Sequence, residues 1–206
     1  MKTVIHFVDG DAVGGTERVA IQLMTAFDRQ QWRPVLFHHG GAGLAPMLAE
    51  ATAAGIETRV VPRLHTIHHA ARLPAFVQAI RAERPCVMHA HLSWPLSCKY
   101  GLLAAALASV PAVAATAHLY FDVSATPVVA MQPRFIARTV GRYLAVSERV
   151  ARQLKDEFSG QLSRRLASPN ERLELGARAR AYVAAHHSWS AYADRLDAIY
   201  RELGVR

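Results

Sequence analysis

Thr3-Val4-Ile5-His6-Phe7-Val8-Asp9-Gly10-Asp11-Ala12-Val13-Gly14-Gly15-Thr16-Glu17-Arg18 is the stretch that decides the fold. Thr3–Val8 is apolar and rich in β-branched residues, the composition of a buried strand, and it stops at Asp9-Gly10-Asp11. Thr16–Phe27 then carries Val19, Leu23, Met24 and Phe27 at helical spacing, with Thr16 in the N-cap position. A strand, a glycine-rich turn and a helix follow one another within 27 residues.

The same unit repeats outward from there. Pro34–His38 is a second buried-strand candidate, and Pro46–Ala54 is a helix that closes at Gly55. Glu57–Val61 is a strand ended by Pro62. Leu73–Glu83 is a helix with Phe76, Val77 and Ile80 inward. Cys86–Ala90 is a strand, Pro95–Ala108 a helix and Ala112–Thr116 a strand. Gln132–Thr139 reads as helical, Arg142–Val146 as a strand, and Ser147 caps a helix that runs to about Phe158. This alternation predicts an α/β fold, a Rossmann-like parallel sheet with helices on both faces.

The pattern changes at Ser159-Gly160. Beyond it no strand candidate remains, and Asn170–Ala185 and Ser190–Leu203 are amphipathic helices. The chain therefore divides into an α/β part, residues 1–158, and a helical tail, residues 159–206. The tail is too short for a core of its own, so its helices are expected to dock on the α/β part or on a partner.

Composition narrows the function classes. The 206 residues are 51% hydrophobic and 19% charged, which suits a folded protein rather than a disordered one. Two cysteines, Cys86 and Cys98, make no disulfide framework and point to a reducing cytoplasm. Met1–Gly10 reads as a strand and not as a secretory signal. The longest apolar stretch, Gly101–Ala117, is broken by Ser109 and Pro111 and is too short to span a bilayer. A net charge of +8 draws the surface toward anionic membranes or phosphorylated ligands. The arginines are spread along the chain without interleaved aromatics, so no nucleic-acid partner is expected.

In a parallel sheet, ligands sit outside the carboxyl ends of the strands. Those ends read Asp9–Glu17, His38-His39-Gly40-Gly41, His89-Ala90-His91-Leu92-Ser93-Trp94, His118-Leu119-Tyr120-Phe121-Asp122 and Ser147-Glu148, so histidines are expected to gather at one edge. Gly14-Gly15 before a helix would let backbone N–H groups approach an anion; a tight strand-to-helix turn is the plainer alternative. It is neither a dinucleotide fingerprint, since G-x-G-x-x-G is absent, nor a P-loop, since no Lys precedes Thr16. His89 and His91, two apart on a strand, would share a face, but a zinc site needs further ligands. His38, His39 and His118 are the candidates, and spacing does not bring them within reach. No metal is expected, and His65, His68 and His69 read as a solvated loop cluster.

Four segments in order resemble a known family. Gly14-Gly15-Thr16-Glu17-Arg18 resembles the GG-x-E-R signature of the retaining family-4 glycosyltransferases of the GT-B fold. Val87-Met88-His89-Ala90-His91 is similar to their fourth-strand V-x-H-x-H, Thr116-Ala117-His118 to their T-x-H, and Val146-Ser147-Glu148 to their V-S-E. In the tail, Asn170–Leu173, His187-Ser188-Trp189-Ser190 and Tyr200–Leu203 resemble the family's closing helices, with His187 where Phe is usual. In that family the last helix crosses back onto the N-terminal domain. Asp9-Gly10-Asp11 resembles the D-x-D metal motif of a different glycosyltransferase class, but Asp and Gly in a turn need no metal to explain them.

The resemblance also shows what is missing. The family's second Rossmann-like domain, which binds the nucleotide sugar through basic residues and a pair of glutamates, has no counterpart between Phe158 and Gln161. The clean Ser-Gly join favours engineered excision over natural deletion. The implied chemistry is transfer of a sugar from a nucleotide sugar with retained configuration, without a metal or other cofactor. His118 is the implied catalytic residue, contacting the donor sugar. Gly14 and Gly15 would lie beside the diphosphate, and Asp9, Glu17, His91 and Tyr120 would line the acceptor pocket. Since the reaction site of such enzymes is an interdomain cleft, this chain alone is expected to be an acceptor-binding half without turnover. The alternatives are a stand-alone or trans-complementing acceptor-binding module, and a relic of a GT-B sugar-nucleotide epimerase. The expected partners are a sugar or lipid-linked acceptor, a donor domain in trans, the inner membrane face, and a second copy through the exposed interdomain surface.

Overall fold

The structure, a computed structural model, describes residues 1–94, 96–119, 140–146 and 189–203. Six strands lie in one parallel sheet: β1 (Lys2–Phe7), β2 (Trp32–His38), β3 (Glu57–Val60), β4 (Val87–Leu92), β5 (Ala112–Ala117) and β6 (Arg142–Ala145). Their order is β3-β2-β1-β4-β5-β6. Between them run α1 (Gly15–Ala26), α2 (Ala45–Ala53), α3 (Leu73–Glu83) and α4 (Lys99–Leu107), and α5 (Trp189–Glu202) follows. This is the expected Rossmann-like α/β fold, because parallel neighbours must be joined by crossovers that cover the sheet.

The two faces bury different layers. On one, Ile5, Phe7, Val35, Phe37, Met88, Ala90 and Leu92 pack against Phe76, Val77 and Ile80 of α3 and Leu102, Ala104 and Ala105 of α4. There α4 lies so close to β1 that a Cβ at Gly101 would overlap the Phe7 ring. On the other, Val4, Val87, Ala112 and Ala114 meet Leu23 of α1, Phe27 just after it, and Leu196 and Tyr200 of α5. A neighbouring cluster joins Val8, Leu36, Ile21 and Met24 to Met47 and Ala51 of α2.

Helix α5 lies against the α1 side of the sheet. Trp32 Nε1 donates to Asp197 Oδ1 at 2.8 Å, and the Tyr200 ring meets Trp32 edge-on with centroids 5.5 Å apart. Leu196 and Tyr200 are wholly buried. The helices expected at Gln132–Thr139, from Ser147 to Phe158 and at Asn170–Ala185 lie outside the described residues, as does the junction at 158–160.

Three local expectations are corrected. The N-cap of α1 is Gly14, not Thr16; the helix starts at Gly15, and the side chain at its start is that of Glu17, which accepts from the Gly14 N–H. β4 runs on through Leu92, two residues past the expected end at Ala90, so His91 lies within the strand and not after it. Helix α4 begins at Lys99 rather than at Pro95, because Cys98 stands in the left-handed region at φ 59°. A non-glycine residue seldom adopts that conformation unless something holds it. Here the Cys98 N–H donates to Asp9 Oδ2 at 2.5 Å.

Candidate functional site

The strand order reverses between β1 and β4, and the crevice beyond their carboxyl ends is where such sheets bind ligands. The loop after β1 forms one wall. Glu17 is buried, and its Oε2 accepts from the Gly14 N–H at 2.9 Å. A Cβ at Gly10 would lie 2.5 Å from Glu17 Oε1, so a glycine lets the carboxylate fold under the loop. Nothing stands within 4 Å of a Cβ built on Gly15. Gly14 and Gly15 are exposed, so the start of α1, where a helix leaves its first N–H groups without intrahelical partners, is open at these two residues.

Asp9 stands beside this wall and spans the switch point through its bond to the Cys98 N–H. Burial pushes its carboxyl above the usual carboxylate range, against the pull of that same bond. Beyond β2, the Gly40 N–H donates to His38 Nδ1 at 2.9 Å, and Gly40 and Gly41 take φ of 77° and 118°. His39 sits against His65 with ring centroids 5.6 Å apart, and burial lowers its pKa to about 4. Arg63 pairs with Asp11, while His65 and His68 are exposed, as expected of a solvated loop.

Behind the crevice, histidines run inward along the sheet instead of gathering at its edge. His118, after β5, places Nε2 3.2 Å from His91 Nδ1. His91 Nε2 lies 2.9 Å from His6 Nδ1 in β1. His89 stacks on His91 with centroids 4.5 Å apart. Its Nδ1 lies 2.6 Å from the Tyr200 hydroxyl and its Nε2 2.7 Å from Thr116 Oγ1. Burial holds His6, His89 and His91 well below the ordinary imidazole pKa and brings His118 to about 4. All four rings are neutral at pH 7. A row of buried cations would need partners that this layer does not supply.

His6, His89 and His91 offer ligand atoms within 4.8 Å of one another, a spacing that a metal ion could use. The bonds argue for a different role. Both nitrogens of His89 and both of His91 already have partners. A metal held by the three would have to break one bond at each of those two rings.

Of the site residues read from sequence, the structure brings Asp9 and Gly14 of the β1–α1 turn together with Gly15 and Glu17 of the first turn of α1, and places His118 just after β5. His91 is 1% exposed and engaged on both sides, so it stands behind the crevice instead of lining it. Tyr120 lies outside the described residues. His6 and Tyr200 were missed as members of this cluster. The signal for His6 was a polar ring inside an apolar strand run; Tyr200 becomes its neighbour only through the path of the chain.

The family model described as Glycosyltransferase Family 4 matches residues 13–165. No curated protein matches the chain. Among solved structures, HepE of Anabaena in complex with UDP and glucose superposes with a TM-score of 0.58 at 12% identity, covering 75% of this chain and 41% of that one. A glycosyltransferase of Rickettsia africae ESF-5 gives 0.58 at 16% identity, covering 76% and 39%. A Staphylococcus aureus protein, MnaA, in complex with UDP gives 0.53 at 14% identity, covering 78% and 43%. At these identities the likeness is one of fold. The chain spans about two fifths of the length of each of these structures.

Proposed function

Because the chain belongs to glycosyltransferase family 4, we propose that it is the acceptor-binding half of a retaining glycosyltransferase that draws its sugar from a nucleotide sugar. Residues 1–158 form the acceptor-side domain in this reading, and 159–206 are the tail that packs on it. The observation that carries the reading is the crevice at the β1/β4 switch point, where the open Gly14-Gly15 helix start and His118 stand at one sheet edge.

Each part has a chemical task. The N–H groups at the start of α1 and the helix dipole favour an anionic oxygen of the diphosphate or of a phosphorylated acceptor. His118, neutral and with one ring nitrogen already given to His91, offers a hydrogen bond to the donor sugar. Asp9 and Glu17 hold the walls through the Cys98 and Gly14 N–H groups, which makes them shape-setting residues of the acceptor pocket. Stabilising the leaving diphosphate falls to a second domain on the far side of the cleft, in cis or in trans, and no metal is required. Among the described residues no helix is long and apolar enough to cross a membrane, so contact with a lipid-linked acceptor would be peripheral.

Isothermal titration of the chain with UDP-sugars and GDP-sugars tests this division of labour. The expected result is no measurable binding and no turnover. Micromolar binding of a nucleotide sugar would place a complete donor site within these 206 residues and overturn the proposal.

A further inference from the structure

Three histidines in series join the crevice to the interior: His118, His91 and His6. The geometry points to the two buried rings, His91 and His6, as positioning residues that fix the tautomer of His118, so that it presents an Nδ1–H donor to the sheet edge. The inference rests on the reading of His118 as the residue that meets the donor sugar.

A neutral imidazole has one N–H and one lone pair. In the row His118 Nε2···Nδ1 His91 Nε2···Nδ1 His6, each contact needs one of each. The proton on any one ring therefore dictates the protons on all three, and only two arrangements exist. In the first, His118 donates inward, His91 donates to His6, and the His6 proton is left on Nε2. In the second, His6 donates outward from Nδ1, His91 donates from its own Nδ1, and His118 accepts at Nε2.

The inner end decides between them. His6 Nε2 is buried and has no hydrogen-bond partner among the described residues. A buried N–H without an acceptor is rarer in folded proteins than a buried acceptor without a donor. The proton of His6 therefore sits on Nδ1, and the second arrangement holds. His118 then carries its proton on Nδ1, the ring nitrogen not engaged with His91. A ring in that state donates to an oxygen lone pair, such as a sugar hydroxyl or phosphate oxygen, and it cannot act as the base toward an acceptor hydroxyl through Nδ1. The neutrality of all three rings at pH 7 is consistent with this one-proton bookkeeping.

The test is long-range proton–nitrogen NMR of the ¹⁵N-labelled full chain at pH 7.5, which reads the protonated nitrogen of each ring. Expected are Nδ1–H tautomers at His6, His91 and His118. An Nε2–H tautomer at His118 overturns the inference. His6→Phe should release the fixed pattern, so that the His118 nitrogens move to averaged shifts, and His6→Asn, whose amide can donate from the Nδ1 position, should restore it. An unchanged His118 tautomer in a folded His6→Phe also overturns the inference. If that variant does not fold, the wild-type spectrum still decides. The readout needs no sugar nucleotide, so failure of the proposed function, seen by titration, stays separate from failure of the tautomer pattern.

Discussion

The two faces of this sheet are made by the same strands and differ in chemistry. In β4, Met88, Ala90 and Leu92 point into the oily layer under α3 and α4, while Val87, His89 and His91 point to the side of α1 and α5. In β1, Phe7 faces the first layer and His6 the second. One layer is almost wholly apolar, with the His39 ring against Phe7 and Phe76 as its polar member. The other adds to its apolar packing a row of bonds that each require a particular protonation state, and it is the layer connected to the crevice. A period of two along a strand is enough to separate packing from chemistry at a distance of one residue.

Acid should separate the two faces most strongly. His6, His89, His91 and His118 all have folded-state pKa values below the 6.5 of an ordinary imidazole. Below pH 6.5 the unfolded chain therefore binds more protons than the folded one. Their contribution is fully present above pH 6.5 and is lost as the pH falls toward about 4, the value at His118. Asp9, raised by burial, opposes this with the reverse sign, but His38 and His39 are lowered as well, so it is one carboxyl against six imidazoles. Urea midpoints measured from pH 7.5 down to 4.5 should fall steeply. A flat profile would mean that the imidazole layer is not buried as described.

Phe76→Ala attacks the oily face. Phe76 is wholly buried between Phe7 and Phe37, and large-to-small changes of this kind cost roughly 3–5 kcal/mol. Phe76 does not touch the row of His6, His89, His91 and His118, and the His39 ring beside it stays neutral with a pKa of about 4, so the loss read by urea denaturation should be the same at pH 7.5 and 6. A strongly pH-dependent loss would erase the distinction between the layers.

Tyr200→Phe is the smaller change on the polar face. It keeps the ring against Phe27 and Trp32 and removes the hydroxyl 2.6 Å from His89 Nδ1. Leaving that nitrogen buried without its partner should cost about 1–3 kcal/mol. Equal stability of wild type and variant would show that the hydroxyl does not hold α5 to β4.

Legibility followed the same division. The α/β alternation, the inward residues of α3 and the docking face of α5 were readable because apolar periodicity is a local signal. Strand β4 was ended two residues early, at Ala90, because a second polar ring at His91 looks like the end of a buried strand. What keeps His89 and His91 inside is a set of partners, His6, Thr116 and Tyr200, lying 27 to 111 residues away from the rings they meet. The start of α4 failed for a related reason. The left-handed turn at Cys98 is held by Asp9, 89 positions earlier. Gly14-Gly15 and Glu17 could be found from spacing, since the bond between Gly14 and Glu17 spans only three residues.

The link between Trp32 and Asp197 joins positions 165 apart, and that between His89 and Tyr200 positions 111 apart. During synthesis, the first five strands leave the ribosome long before α5 exists. The imidazole layer then waits without the helix that covers it, open to solvent and to other nascent chains. Contacts of such long sequence separation form late and slowly. Among the described residues, the layer under α3 and α4 draws on none beyond Val140 and can close earlier. The order of assembly is thus written into the sheet: shape first, proton-bearing contacts last. A stalled chain lacking residues beyond 188 would present its histidine side to whatever chaperone meets it.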